Sequence, residues 1–426
     1  MWKVIHIFLI ESRIMPVKLI LGLQHGDEGK GRVVDDLVQT WADVVVRFQG
    51  GGNAGHTVYD KRGNKFVTHI LPVGVLSKEI INIISRGCVV DIEDFCNEVI
   101  DLNVHMPLSN QFSHPRLSVS AYCPIIEPTH KIIDRLKYQK KLGTTAKGIG
   151  PAYSDYYARD SILIKDVVLN PEETLIKIQS KFFDLQEKRA QNGETLEDIK
   201  PDFDTFNSWV SKYSEMKDIV GRYMMVNEDI LQDYYSMGYN ILLEGAQGSG
   251  LNIFSNNYPN VTSSAPSVGG ALNSTGLSHK QIDEVIGVIK SYKTKVGSGD
   301  FPSLIKDGQE LILAEVGREF GATTGRPRKC GWLDLDEVNV AISQNGVDHL
   351  CLVKTDVMTH IDNPFFFVHG RNYSLSKINA VSAFDTGFIE LLRQIETHTG
   401  IKQISYTTGP KRGEIVWIEK TAEATK

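Results

Sequence analysis

The stretch Val17-Lys18-Leu19-Ile20-Leu21-Gly22-Leu23-Gln24-His25-Gly26-Asp27-Glu28-Gly29-Lys30-Gly31-Arg32 decides the fold. Residues 17–23 (VKLILGL) are short, continuously apolar and rich in branched side chains. That is the pattern of a strand buried on both faces. A glycine-rich turn follows, and a helical pattern runs from about Lys30 to Trp41. Where a strand turns into a helix, free N–H groups and the helix dipole favour phosphate, and Lys30 adds a full charge. The spacing departs from GxxxxGK[ST]: Gln24 stands in the place of the first glycine, and Gly31 in that of the hydroxyl residue. A carboxylate inside a phosphate loop repels its ligand. Asp27 therefore reads as a magnesium ligand, as a base beside a nucleobase, or as a capping Asp in a tight turn.

Working outward, residues 43–48 read as a second strand and residues 80–90 as a third. Asp91 then caps a helix through Leu102. Strand patterns recur at 240–244, 284–290 and 349–354, with helical segments between most of them. This alternation predicts an α/β protein with a large, mainly parallel central sheet flanked by helices, like P-loop NTPases but with helical insertions. Residues 171–236 are charged and long-helical, and read as such an insertion on one flank. No repeat, low-complexity tract or linker interrupts the chain, so residues 15–426 read as one large domain. Residues 1–14 read as an N-terminal extension before Met15, or alternatively as a short terminal strand. Glu11-Ser12-Arg13 makes a poor signal-peptide cleavage site.

With 426 residues and 41% of them hydrophobic, the chain can bury a large core. Its net charge of −6 is not that of a nucleic-acid binder, so anionic ligands need locally arranged donors. Five cysteines, Cys88, Cys96, Cys123, Cys330 and Cys351, include no CxxC pair. Reduced thiols and a cytoplasmic location are the expectation. No apolar run reaches the roughly 18 residues of a membrane span.

Five further motifs carry chemistry. Gly50-Gly51-Gly52-Asn53-Ala54-Gly55-His56-Thr57 closes a strand with glycines that let a ligand approach the backbone, and His56 reads either as a group directed into the same crevice or as a structural histidine. Gly143-Thr144-Thr145-Ala146-Lys147-Gly148 suits an anion-binding loop. Glu244-Gly245-Ala246-Gln247-Gly248 follows another strand and is either a base-reading amide or a simple turn; Val261-Thr262-Ser263-Ser264 adds hydroxyls. Gly321-Ala322-Thr323-Thr324-Gly325-Arg326-Pro327-Arg328-Lys329 places three cations after a turn, fit for a carboxylate or polyphosphate, or for a solvated basic loop. Lys354-Thr355-Asp356 ends a strand and reads either as a base-reading element, whose carboxylate can accept from the N1–H and N2 amine of guanine, or as an ordinary strand-end turn.

GDEGKG, GGGNAGHT, GTTxxGIGPAY, EGAQG, VTSS, GATTGR, CGWLD, VKTD and TTGP occur in that order. Across residues 17–426 the ordered set resembles the adenylosuccinate synthetase family. The resemblance implies a GTP-dependent ligase that joins IMP and L-aspartate through 6-phosphoryl-IMP. It implies catalytic roles for Asp27, His56, Lys30 and Gln247, with one Mg²⁺ per subunit on Asp27 and the Gly55 carbonyl. The implied IMP contacts are Asp27, Glu28, Gly29, Lys30, Asn53, Ala54, Gly55, His56, Thr145, Gln247, Thr262 and Arg326. Arg159 is implied to reach the IMP phosphate of the neighbouring subunit in a homodimer. Ala322, Thr323, Thr324, Gly325, Arg326, Pro327 and Arg328 match the aspartate loop. The implied GTP contacts are Gly26 to Arg32 (Gly26, Asp27, Glu28, Gly29, Lys30, Gly31, Arg32), Gly55, His56, Thr57 and Arg328, with Lys354, Thr355, Asp356, Thr407, Thr408 and Gly409 at the guanine.

The chain departs from the family pattern at His25, Arg32, Pro327 and Lys329, and none of these removes a catalytic group. Competing readings are a relative acting on a 2-amino purine nucleotide, a GTP-binding regulatory protein, and a general phosphotransferase. The presence of Asp27 and Gln247 argues against the first. The spacing of the first turn argues against the other two.

Overall fold

The computed structural model describes residues 16–59, 65–105, 116–295, 301–320 and 328–418. The reading of residues 1–14 as an extension lies outside them. Ten strands form the main sheet: β1 (Val17–Gly22), β2 (Val44–Arg47), β3 (Ile81–Ile84), β4 (Leu117–Ser120), β5 (Met224–Met225), β6 (Ile241–Glu244), β7 (Glu284–Lys290), β8 (His349–Val353), β9 (Ile404–Thr407) and β10 (Ile415–Val416). Their spatial order is β10-β9-β8-β7-β1-β6-β2-β3-β4-β5. Every neighbouring pair is parallel except β9 with β10. The mainly parallel sheet expected from the alternating pattern is present.

β1 lies between β6 and β7, with Leu19 opposite both Leu243 and Val285. It is buried on both faces because alternate side chains enter different cores. Ile20 packs with Val33, Ile84 and Phe95 on one side, and Leu19 and Leu21 with Val46, Leu243 and Trp332 on the other. Helices α1 (Lys30–Thr40) and α2 (Ile92–His105) contribute to the first core. Asp91 accepts from the backbone N–H groups of Glu93 and Asp94, which starts α2 where the sequence expects it.

Three details differ from the sequence reading. The strand expected over 80–90 ends at Ile84, because Cys88 N–H turns back to Ser85 and leaves only bridges at Cys88 and Val90. Helices α4 (Pro171–Gln191) and α5 (Leu196–Tyr223) fill most of 171–236, joined through stacked Phe182 and Phe206 rings. That stretch also holds β5, which extends the main sheet beyond β4. A second, four-stranded sheet was not anticipated. Tyr292–Lys295, Lys329–Asp334, Phe365–Val368 and Arg371–Ser374 form it, and the first of these continues directly from β7. This continuation carries Lys290, Tyr292 and Thr294 toward the end of β1.

Candidate active site

In an open parallel sheet the ligand crevice lies beyond the carboxyl ends of the strands, where the chain order reverses. Here β1, flanked by β6 and β7, sits at that point. The turns after β1, β2, β6, β8 and β9 carry GDEGKG, GGGNAGHT, EGAQG, KTD and TTGP, in that order.

Close backbone approach brings three of them together. Gly26 has φ 97, and a Cβ on it would lie 2.9 Å from the Gln247 Cα. A Cβ on Gly31 would lie 2.8 Å from the Cβ of His56. Glycine is required at both places, at the first by φ as well as by space. Around Gln247 the amide Nε2 donates to Asn53 Oδ1 at 3.2 Å, and Ser264 Oγ donates to Gln247 Oε1 at 3.1 Å. Thr262 Oγ1 is 3.3 Å from Ser264 Oγ. Asn53, Gln247 and Thr262 thus form one hydrogen-bonded wall.

The turn after β1 is stiffened from within. Glu28 is fully buried, accepts from the N–H groups of Gln24 and Gly26 at 3.0 and 2.8 Å, and pairs with Lys30 Nζ at 2.6 Å. Its side chain therefore serves the loop. Gln24 is also buried, accepting from Lys290 N–H at 2.9 Å and donating to Tyr292 O at 3.3 Å. It ties the turn to β7, a task a glycine at that position cannot perform. His25 Nε2 lies 3.3 Å from Glu337 Oε1 without hydrogen-bond alignment, and burial pushes its pKa down.

Asp27 Oδ2 accepts from Thr294 Oγ1 and lies 3.2 Å from Lys290 Nζ and 3.4 Å from Arg328 Nε. Burial pushes its pKa up, but the two cations and the Thr294 hydroxyl outweigh this and hold it at about 2. Oδ1 is buried and has no hydrogen-bond partner among the described residues. An ionised carboxylate with one free oxygen fits a divalent cation. Gly55, which precedes the buried His56, is exposed.

His56 is buried at the start of the hairpin strand His56–Tyr59. Its Nδ1 is 2.6 Å from Glu244 Oε1, which also accepts from Arg47 Nη1 at 2.8 Å. Glu244 Oε2 accepts from Val73 N–H at 2.9 Å. A ring lone pair that close to a carboxylate would be repelled, so Nδ1 carries hydrogen and Nε2 is free for a ligand. Burial lowers the His56 pKa, and the Glu244 carboxylate opposes that shift only in part. To donate from Nε2 as well, the ring must become imidazolium, which an arriving anion favours.

Glu319 is the hub of a second network. It accepts from Tyr292 Oη at 2.7 Å, from Lys290 Nζ at 3.3 Å and from Arg328 Nη1 at 2.7 Å. Glu319, Lys290, Tyr292, Thr294, Arg47 and Glu244 received no role from the sequence. A lysine ending the apolar run EVIGVIK and a glutamate ending ILLE were the available signals.

At the far end, Thr355 Oγ1 donates to Thr407 O, and Lys354 N–H donates to Thr407 Oγ1 at 3.2 Å. The Asp356 carboxylate is half-buried and hydrogen-bonds to no described residue. Thr408 N–H donates to Glu414 O at 2.8 Å, and a Cβ on Gly409 would meet the Glu414 carboxylate. Arg32 donates to Lys411 O, linking the start of α1 to this turn. Thr57 and Thr145 are exposed, while Ala54 is half-buried and its carbonyl accepts from His69 Nδ1 at 2.8 Å. Arg159 stands apart from the crevice wall, exposed at the end of helix α3 (Ile149–Ala158). Ala322, Thr323, Thr324, Gly325, Arg326 and Pro327 lie outside the described residues; Arg328 is the first described residue after them.

The family model of adenylosuccinate synthetase matches residues 19–364. The adenylosuccinate synthetase of Caldicellulosiruptor bescii is 40% identical over 347 residues, 80% of this chain and 78% of that protein. That of Aquifex aeolicus is 34% identical, covering 94% of this chain and 97% of the relative. Fully ligated adenylosuccinate synthetase from Plasmodium falciparum has the same fold, with a TM-score of 0.82 at 27% identity over 95% of this chain and 100% of that one. A cyanophage S-2L succinoaminodeoxyadenylate synthetase bound to dGMP and dATP shares the fold alone, with a TM-score of 0.65 at 18% identity. This chain belongs to the adenylosuccinate synthetase family, the GTP-dependent ligases that join IMP and L-aspartate in AMP synthesis.

Proposed function

We propose that Asp27 and His56 run the chemical steps of this ligation, with Lys30 neutralising phosphate charge and Gln247 reading the hypoxanthine. The 6-oxygen of IMP is amide-like and leaves poorly, whereas phosphate leaves well. The γ-phosphoryl bond of GTP breaks and a new bond forms to that oxygen, while the N1 proton passes to Asp27. The neutral aspartate amine then attacks C6, the C6–O bond breaks, and the phosphate departs with the proton that the amine gives up. His56 Nε2 donates to the 6-oxygen and the transferring group as their charge develops. Asp27 and the Gly55 carbonyl would hold one Mg²⁺ per subunit, which supplies charge neutralisation on the GTP phosphates when bound.

One observation carries the reading. The turns that bear Asp27, His56 and Gln247 follow three adjacent strands, and they meet where Gly26 packs against Gln247 and Gly31 against His56. Asn53, Thr145, Thr262 and Arg326 complete the IMP set, and Ala322 to Arg328 bind aspartate. Arg328 also serves GTP; drawn to the triphosphate, it leaves Asp27 with one cation fewer and a stronger basicity. Residues 15–426 act as one domain, a reading supported by a main sheet with strands from Val17 to Val416. The enzyme works in the cytoplasm, in keeping with five free, buried cysteines. No helix among the described residues is long and apolar enough to cross a membrane. It works as a homodimer, with the exposed Arg159 reaching the IMP phosphate of the neighbouring subunit.

The test is an assay with IMP, GTP, Mg²⁺ and L-aspartate that follows GDP and adenylosuccinate while each component is omitted in turn. Product that requires all four is expected. Equal turnover of dGMP in place of IMP would overturn the assignment of Gln247.

Glu244→Gln is expected to lower kcat on the order of 10²-fold, because the carboxylate that orients His56 is replaced by an amide. Arg47, 1% exposed, would also lose its anionic partner, so the melting temperature falls. Unchanged kcat alongside a lowered melting temperature would leave Glu244 a purely structural partner of Arg47.

A further inference from the structure

Outside the crevice, Glu127, His130 and Asp155 bring three possible ligand atoms within 4.8 Å of one another. A metal does not suit them. His130 Nδ1 accepts from Glu127 N–H at 3.0 Å, so Nε2 carries the proton and donates it to Asp155 Oδ2 at 3.1 Å. The cation of this cluster belongs to the protein. Lys181 Nζ, from α4, is 3.0 Å from Glu127 Oε1 and 3.4 Å from Asp155 Oδ2. It also donates to Asp160 O at 3.1 Å and lies 3.4 Å from Asp160 Oδ2. One turn earlier on α4, Lys177 donates to Asp160 Oδ1 at 3.2 Å.

Arg159 lies between Asp155 and Asp160 in sequence. It takes a left-handed conformation at the end of α3, with φ 66, and its N–H closes onto Tyr156 O. Its side chain is exposed and forms no hydrogen bond or ion pair with a described residue. An arginine with a carboxylate four residues before it and another one residue after it has two anions close at hand. Here both are held by the ammonium groups of α4.

We infer that Lys181, assisted by Lys177, is a positioning residue for Arg159. By holding Asp155 and Asp160 it denies them to the guanidinium, which stays free for an anion outside its own subunit. The inference rests on the reading of Arg159 as a contact to the phosphate monoester of IMP in the neighbouring site. Lys181 dominates because it is 21% exposed and grips the fully buried Glu127, whereas Lys177 and Asp160 are 47% and 60% exposed.

Steady-state kinetics on the full-length dimer test this. Lys181→Gln is expected to raise the KM for IMP about tenfold, with kcat and the KM for GTP changed by less than about twofold. Lys181→Arg restores the IMP KM. In an Arg159→Ala background, Lys181→Gln adds nothing further to it. Lys177→Gln, at an exposed pair with little risk to folding, shifts the IMP KM the same way by about twofold. An unchanged IMP KM in both lysine variants overturns the inference while leaving the Arg159 reading intact. So does an undiminished Lys181→Gln effect in the Arg159→Ala background, which marks a purely structural role. An unchanged IMP KM in Arg159→Ala alone overturns both.

Discussion

Asp27→Asn is expected to lower turnover about 10³-fold or more while GTP still binds. The change keeps the shape of the side chain and removes its charge and basicity. Glu28, which holds the turn through the N–H groups of Gln24 and Gly26, is untouched, so the phosphate cradle survives. On the roles proposed above, what is lost is the acceptor for the N1 proton and one ligand for Mg²⁺. The pKa sets the sign of the pH response. Asp27 titrates at about 2 because Lys290 and Arg328 outweigh its burial, below its ordinary 3.8. Its contribution to stability is therefore complete above about 3.8 and is lost as pH falls toward 2. Before ligands bind, Asp27 is therefore ionised throughout the neutral range. Rapid-quench measurement of GDP formation with bound IMP, beside calorimetric titration with GTP, separates the two functions. Near-normal GDP formation in the variant would remove Asp27 from the chemistry. Loss of GTP binding with it would make Asp27 chiefly a nucleotide ligand.

The fold was legible wherever one strand or one helix carried its own pattern. VKLILG, ILLE, EVIGVIK and HLCLV are dominated by apolar residues because parallel strands here bury both faces, and each became a strand of the main sheet. The second sheet was not legible: RNYS is exposed throughout, and YKTK is buried while carrying two lysines. Its pattern arises from tertiary partners. Lys293, for example, is buried because Asp334 lies 3.2 Å away. The site divides in the same way. Glycines and a lysine in a strand-to-helix turn announce a phosphate loop from local sequence alone. Glu244 and Glu319 do not, since the first acts through Arg47 and His56, 197 and 188 residues away. The second acts through Tyr292, 27 residues away. Arg328 shows the limit most clearly. Its type and spacing suited a carboxylate or polyphosphate ligand, or a solvated basic loop, and its guanidinium is seated on Glu319 and beside Asp27. Only the fold reveals that competition.

Asp356→Asn is expected to cut kcat/KM for GTP about 10²-fold and to raise that for XTP. The turn after β8 is built to present this carboxylate. Thr355 is buried and donates to Thr407 O, and Lys354 N–H donates to Thr407 Oγ1, which fixes the ends of β8 and β9 together. Lys354 takes a left-handed conformation with φ 60, and its Nζ donates to Gly317 O at 2.5 Å. Neither residue engages the Asp356 carboxylate, whose two oxygens are left for a ligand with two donors. Guanine supplies such a pair in its N1–H and N2 amine; adenine does not. An asparagine at this position offers one acceptor and one N–H donor. Against guanine, that donor faces the N2 amine and leaves a hydrogen bond unmade. Against xanthine, it faces the 2-oxo group and restores the pair. Asp27 follows β1 whereas Asp356 follows β8, so kcat with saturating XTP should approach that of the parent enzyme with GTP. The ratio of kcat/KM for the two nucleotides is the measurement. A ratio unchanged from the parent would mean that the base is read by Thr407, Thr408 and Gly409 through the backbone, with Asp356 outside the contact.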